Sequence, residues 1–556
     1  EVSIYIMKTI FKMCHSKHYG GAVVIDYSHI DYYKILKVTM FLSSSLFYNN
    51  TSVKQGGGMF ISDISFLYIT SCTFESNSAQ SGGALSLYKI NKIVCQNGKF
   101  HKNRASHYGG GISIDRLKLT SISSWYSTEH LKSCELLHIV ASHFVENSAG
   151  RNSGGLELRH FSVCSIHHSH FTKNTARNIG GGLDVYNGDT LTVNNVTLIK
   201  NSAVKGGGIY VADQSLLNII NNFYSLNKAS NCGGALKIKR SNKTNILSSI
   251  FYKNIGKITG GAVCGKYWEY VYCFACVFLD NSISAIDINT AGTMLLKYSK
   301  LKQNFGDYGA GIYMKTCEVA QIIGTDFVAN SGTHSGSGML INQCKKLEIV
   351  DSTFAQNSAK NLGAGMHTYK CKLVKIINSC FSQNSAKNGG GLRLQNVNNI
   401  SVVNSFFKNN IASGYGGGNN VYKCKVIKIE KTKFNLNSAK NGGGLHLENV
   451  NNIFVVNSFF KHNIASEYGG GKRAYKCKIV KIEKTKFNLN SAAIDGGGID
   501  LQYASNFTVE NSHFIKNAAK RLGGGLCIYS GNSLILNNAI FSQNLGYGYK
   551  VDPDNG

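Results

Sequence analysis

The sequence predicts an all-β solenoid, a parallel β-helix of about 20 turns with 26 to 27 residues per turn, and three observations predict it. The first is a motif of an aromatic or aliphatic residue, two variable positions and an asparagine, usually followed some eight residues later by a glycine pair or triplet. It recurs at Phe47, Phe74, Phe100, Phe144, Phe171, Leu198, Tyr224, Phe251, Phe278, Leu301, Phe327, Phe354, Phe381, Phe407, Phe434, Phe460, Phe487, Phe514 and Phe541. Sixteen of the eighteen intervals are 26 or 27 residues, which excludes the three or four unrelated domains that 556 residues would suggest. The second is a period of two between anchors, as in Leu445 and Leu447, then Ile453 and Val455, which favours short strands over helices. The third is turn chemistry: 60 glycines against one proline, Pro553, so the bends use Gly and Asn, residues that accept positive φ.

Each turn reads as three short strands and three bends, every strand pairing with its equivalent one turn away at about 4.8 Å. The Phe anchors should stack as an interior column, the asparagines three residues on should form a hydrogen-bonded ladder, and the Gly triplets should occupy a bend too tight for side chains. One turn alone buries too little to offset the entropy of fixing it, so only stacked turns are stable. Residues 381–433 and 434–486 agree at 41 of 53 positions, a duplicated pair of turns in which QNVNN or ENVNN alternates with YKCK. Residues 1–46 read as imperfect N-terminal turns, 47–548 as the β-helix, and 549–556 as a C-terminal tail.

The 44-residue interval from Phe100 to Phe144 implies a loop insertion near 117–135 that carries Trp125, Tyr126, Glu129 and His130. Solenoid insertions often line a binding face, so Trp125 and Tyr126 are candidate partner contacts. Trp268, in KYWEYVY, either joins a stacking surface or covers an edge. The 23-residue interval from Phe278 to Leu301 lacks the Gly pair and predicts a tightened turn. Asn419 and Lys472 stand where sister turns have Leu392 and Leu445; an inward unpaired lysine is costly, so the strand is expected to rotate or end early there.

The motifs FESN (74–77), FVEN (144–147) and FIKN (514–517), with GGAL (82–85, 233–236) and GGGI (109–112, 206–209), resemble the repeats of the polymorphic outer membrane protein family. The resemblance runs over nearly the whole chain from Phe47 and implies a right-handed parallel β-helix, displayed on a surface and often adhesive. The family's bacterial members carry a C-terminal membrane barrel that this sequence does not show, and similar repeats in surface proteins of single-celled eukaryotes match equally well.

A formal charge of +29 favours acidic partners. Sixteen cysteines show no tight pairwise spacing, and there is neither an 18-residue apolar run nor a leader pattern. Glycosidic cleavage needs paired carboxylates, yet Asp184 and Asp500 are a dozen turns apart and Asp287 has no acidic neighbour. His143 and His170 precede successive anchors, with His167 and His168 nearby: a metal pair or solvent-facing side chains, lacking an evident third ligand. Cys273 and Cys276 should face opposite sides of a strand. Cys317, Cys344 and Cys371 recur on three turns, as disulfide partners or as free thiols.

Lys423, Lys425 and Lys428 recur as Lys476, Lys478 and Lys481, preceded by Lys370, Lys372 and Lys375. Alternate turns would set them about 10 Å apart, a stripe able to track an acidic polymer. Stacking aromatics are not interleaved with it, so nucleic acid is not expected. Sequons at Asn49, Asn50, Asn195, Asn242, Asn399 and Asn506 permit glycosylation in a secretory route. The sequence therefore points to a non-catalytic structural or adhesive rod, extracellular or on the cell surface, without cofactor or metal. Its partners would be its own copies end to end, other surface proteins or acidic glycans. The rival reading is a polysaccharide lyase or hydrolase of the β-helix type.

Overall fold

The computed structural model describes residues 1–28, 37–115 and 134–546. They form two compact units, Glu1–Ile286 and Asp287–Gly556, each a stack of coiled turns. Among the described residues there is no helix, and the strand pairings between turns are parallel. In the second unit one turn runs through Lys486–Asn488, Ser491–Ala492 and Ile499–Glu510. In the first, an equivalent turn runs through His170–Thr172, Thr175–Ala176 and Leu183–Asn194. Equivalent strands of successive turns build three sheets: a Phe sheet, a short sheet and a long sheet.

The expected three strands are present, but the third has twelve residues and bends in its middle. The bend is a left-handed residue, such as Asn187 at φ 56° or Tyr503 at φ 58°. In the duplicated segment it splits the strand in two, as Leu445–Glu448 and Asn452–Val456 around Asn449 at φ 53°. Asn is a natural occupant of this region, whereas tyrosine and the lysines found there are strained and are held by the pairing on either side.

The interior is organised in columns. Phe434 stacks on Phe407 at 4.8 Å and on Phe460 at 4.7 Å, with rings within 5° of parallel, and all three are fully buried. Beside this column runs the asparagine ladder. Asn410 donates from its backbone N–H (3.1 Å) and from Nδ2 (2.9 Å) to Oδ1 of Asn437. Asn437 repeats both bonds to Asn463 and donates from Nδ2 to the Phe407 carbonyl at 2.9 Å. A buried amide leaves few of its polar groups unsatisfied only if a copy of itself lies above and below, and the repeat supplies that copy.

A second ladder escaped the sequence reading. Two residues before most anchors lies a buried Ser or Thr whose hydroxyl donates to the carbonyl two residues back and accepts a backbone N–H from the turn before. Ser379 bonds Ile377 O at 2.8 Å and receives Ser352 N–H at 3.2 Å. Gly442 explains the triplets: it sits at φ 66°, and a Cβ on Gly443 or Gly444 would lie 2.4 or 2.5 Å from a carbonyl of the following turn.

The two irregular intervals are absorbed locally. Phe100 and Phe144 stack at 4.8 Å, so the core is in register across the 44-residue interval. Where the Gly pair is missing, Ile283 (φ 62°) and Ser284 (φ 75°) make the bend.

Lys472 overturns an expectation. Its strand neither rotates nor ends: Lys472 pairs in register between Leu445 and Ile499, points inward, is 0 % exposed and has no partner for Nζ. Asn419 is likewise fully buried with its amide unpartnered. Register in a stack is set by the neighbours on both sides, which outweigh the preference of one side chain. Burial pulls the Lys472 ammonium down to about 7, from an ordinary 10.5.

Two outcomes follow from these interior columns. Asn437→Ala orphans the Phe407 carbonyl and Asn410 donors, at about 1–3 kcal/mol per group, so denaturant unfolding should show a loss of about 3 kcal/mol or more. Lys472→Met should raise the melting temperature. The unfolded chain holds the lysine's proton up to higher pH than the folded one, so the wild type gains stability as pH rises from 7 towards 10.5. The advantage of the Met variant is therefore greatest below pH 7 and fades towards pH 10.5 in a pH series of thermal melts.

Candidate functional site

Chemistry gathers in two places on the outside of the long sheet: the bend and the groove that precedes it. At the bend of the second unit, Lys370, Lys423 and Lys476 occupy the left-handed corner at φ 51–55°. Each ammonium lies 5.1 Å over the ring of the tyrosine before it, Tyr369, Tyr422 or Tyr475. Two residues on, Lys372, Lys425 and Lys478 are exposed beside the buried Cys371, Cys424 and Cys477. Lys375, Lys428 and Lys481 share one outward column, separated by Ser401 and Phe454 of the intervening turns. Those turns present neutral Asn396 and Asn449 at the corner. The predicted stripe is thus a real column of cations on alternate turns, about 10 Å apart. Lys428 pairs with Glu430 at 2.8 Å and Lys481 with Glu510 at 3.0 Å, which neutralises part of it. Tyrosines do accompany the lysines, contrary to expectation, but each ring is capped by its own lysine.

The groove is formed by the second residue of each long strand. This residue points away from the core yet is buried or half-buried, because the positive-φ glycine of the bend folds against it: a Cβ on Gly180 would lie 2.7 Å from Cβ of Asp184. In the first unit the column reads Ser86, Ser113, Glu157, Asp184, Tyr210, Lys237 and Cys264 in unbroken register. Glu157 and Asp184, each 2 % exposed, are adjacent, and the sequence reading missed this pairing by seeking aspartates alone. The signal was present in GGLE and GGLD, one turn apart.

Arg159 serves the two acids unequally. Its Nε is 2.8 Å from Glu157 Oε1, whereas its nearest nitrogen is 4.0 Å from Asp184 Oδ2, and Asp184 Oδ1 has no partner. Ser113 adds a 2.9 Å bond to Glu157. Burial pushes Asp184 up to about 8, with Arg159 opposing and Glu157 reinforcing the shift, and burial raises Glu157 as well. Arg159 also lies 5.4 Å over Tyr108. A small, open depression adjoins this cluster, lined by Tyr108, Ser113, Asp115 and Glu157 among others.

In the second unit the same column reads His367, Arg393, Asn420, His446, Arg473 and Asp500. Arg473 Nε is 3.2 Å from Asp500 Oδ2, and Arg393 stacks 5.5 Å over Tyr422. The groove is therefore acidic at Glu157 and Asp184 and, between His367 and Arg473, cationic at Arg393 and Arg473, because burial disfavours the charged form of His367 and His446.

Other sequence candidates fall elsewhere. Trp125, Tyr126, Glu129 and His130 lie outside the described residues. Trp268 is 2 % exposed, packed against Gly265 inside the first unit, so it offers no stacking face to a partner. Asn50 is a ladder member at 0 % exposure and cannot carry a glycan in the folded chain, whereas Asn49, Asn195, Asn242, Asn399 and Asn506 are exposed. His143 and His170 stack face to face at 4.8 Å, and among the described residues no group of three metal-binding side chains forms. Cys273 and Cys276 do not face opposite ways: the left-handed Ala275 turns the chain between them, so both thiols are buried and hydrogen-bonded. Cys317 and Cys344 are in register, unbridged and hydrogen-bonded. Asp500, in contact with Arg473, has no second carboxylate beside it in the column.

Among families of known proteins, the model of a right handed beta helix region matches residues 391–555. No curated protein and no solved structure matches.

Because Arg159 is spent on Glu157, Asp184 is a poorly paired buried carboxyl that holds its proton more tightly folded than unfolded. Such a group costs stability as pH rises from about 4 to about 8. Asp184→Asn should therefore be more stable than the wild type at pH 7 and indistinguishable from it near pH 4, as read by thermal melts at both values.

Proposed function

We propose that this chain is a non-catalytic structural and adhesive element, extracellular or on a cell surface, whose lysine face in the second unit holds an acidic polymer such as an acidic glycan. The observation that carries the reading is the register of that face: nine lysines from three alternate turns, spaced by turns that present Asn at the corner and Ser401 or Phe454 on the strand. Cations at a regular spacing of about 10 Å match a linear polyanion better than a compact ligand. The interior supports the reading from the other side, since its recurring polar residues, Asn and Ser or Thr, are engaged in the two ladders. The likeness of the FxxN and GGA[ILV] repeats to the polymorphic outer membrane protein family supports surface display, and the five exposed sequons are compatible with a secreted chain. Other surface proteins or further copies of the chain are partners of the same kind.

A second reading, the polysaccharide-cleaving enzyme, has one observation in its favour: the adjacent Glu157 and Asp184 beside a small, open depression. Against it, both acids are 2 % exposed and Glu157 is tied to Arg159 at 2.8 Å, a latch rather than an attacking pair.

The test is binding to a polyuronate and to a sulfated glycan across a salt series. Binding should weaken steeply with salt, and replacing Lys423, Lys425, Lys476 and Lys478 with Ser should weaken it about tenfold, with circular dichroism unchanged. Equal binding by the variant removes the reading. Cleavage of the polyuronate that is lost in Glu157→Gln would put the enzyme in its place.

A further inference from the structure

One cluster in the groove of the first unit is used by neither the fold nor the proposed adhesion. Cys232 ends the short-sheet strand Lys228–Cys232, and Lys237 is the second residue of the long strand Leu236–Leu247 in the same turn. One turn further, Thr259 is bridged to Cys232, and Cys264 is the direct register partner of Lys237. The glycine bend brings the two strand ends together, since a Cβ on Gly233 would lie 2.9 Å from Cβ of Lys237. Two thiols and one amine from adjacent turns therefore converge. Lys237 Nζ is 3.1 Å from Cys264 Sγ, and Thr259 Oγ1, on the bridge partner of Cys232, is 3.6 Å from the same sulfur. Cys232, Lys237 and Cys264 are 5 %, 8 % and 4 % exposed.

A lysine this buried needs an anion, and among the described residues no carboxylate within 4.0 Å supplies one. The sulfurs do. Hydrogen bonding from Cys264 draws the Cys232 thiol down to about 6 against the opposing effect of burial, with Lys237 assisting. The two sulfurs in turn hold the Lys237 proton, although burial opposes its charge. This distinguishes the cluster from Cys317 and Cys344. Those thiols are also neighbours on adjacent turns, but Cys317 Sγ donates to Val319 O at 3.0 Å and Cys344 Sγ to Lys346 O at 3.1 Å, and no cation contributes to the state of either.

We propose that Cys232 and Cys264 are an oxidisable pair that a hydroperoxide converts to a disulfide clamping two adjacent turns of the first unit, with Lys237 as the positioning residue that holds the thiolate. The Cys232 thiolate attacks one oxygen of the peroxide. The S–O bond forms, the O–O bond breaks, and the departing oxide takes up a proton to leave as water or alcohol. Cys264 then attacks the sulfenic sulfur of Cys232: the S–S bond forms, the S–O bond breaks, and hydroxide leaves with the Cys264 proton as water. Two thiols are oxidised by two electrons and one peroxide is reduced. The clamp closes a short loop across the groove floor, beside the glycan-holding role but independent of it.

The whole chain, reduced and then freed of reductant, is treated with hydrogen peroxide, trapped with an alkylating reagent under denaturing conditions, and mapped by mass spectrometry without reduction. The expected result is a peptide pair joined through Cys232 and Cys264, formed before any Cys317–Cys344 pair and reversed by thiol reductant. Lys237→Met, folded by circular dichroism, should slow its formation about twofold near pH 7, the loss of thiolate when a thiol at about 6 rises by one unit, and Lys237→Arg should restore much of the rate. If Cys232 and Cys264 are recovered as alkylated thiols, or Cys317 and Cys344 are joined first, the proposal is overturned. A Lys237–Cys264 linkage in place of the disulfide would overturn it equally. The mapping of the unsubstituted chain decides even if the variants fail to fold.

Discussion

Each buried asparagine of the central ladder is satisfied by another asparagine one turn away. Asn437 accepts from Asn410 and donates to Asn463, and its remaining donor is taken by the carbonyl of Phe407. That bond set fixes the register of each turn at its asparagine, and the one-residue difference between 26- and 27-residue turns is taken up away from it, at short-sheet shifts such as that between Ala439 and Asn441. The 26 to 27-residue period is the sequence record of this constraint. Extra residues are tolerated only where they leave the core path, as between Phe100 and Phe144, whose rings still stack.

With the interior committed, variation is confined to the outward positions, and there the chain writes its chemistry. One groove column passes from Glu157 and Asp184 to Lys237 and Cys264 within the first unit, and from His367 to Arg473 and Asp500 within the second. The same backbone geometry thus supports an acidic latch, a thiol pair and two spaced arginines, with function set by side chains rather than by the fold. Lys472 shows the tolerance of such a stack. An unpartnered ammonium inside one turn is held in place because the turns on either side pay most of the ordering cost through their own contacts.

Much of this was legible in the residues. Phe anchors and FxxN spacing predicted the aromatic column, the ladder and the parallel pairing, because each depends on one residue type at one place in a fixed period. The bent strand was not legible: its corner is held by Asn187, Tyr503 and Lys423 alike, so no single residue type marks it. The Ser and Thr ladder was written two places before most anchors, in a position that reads as an ordinary polar turn. Lys472 was misplaced because the cost of one side chain was weighed without the register imposed by Leu445 and Ile499. Trp268 failed as a surface candidate because a period of two does not say which residues the corner turns inward, and Asn50 because, three residues after the Phe47 anchor, it is itself a member of the ladder. Glu157 was missed because its partner, Asp184, carries a different acid.

The central claim is that successive repeats are stacked equivalents, and a dipolar distance within the second unit tests it most directly. Spin-labelled amino acids placed at Ser382 and Asn488 sit in one outward column, linked through Lys408, Asn435 and Lys461 over four turns. The account predicts a single narrow distance, with the two backbone positions about 19 Å apart. A broad distribution, or a separation several times larger, would contradict it.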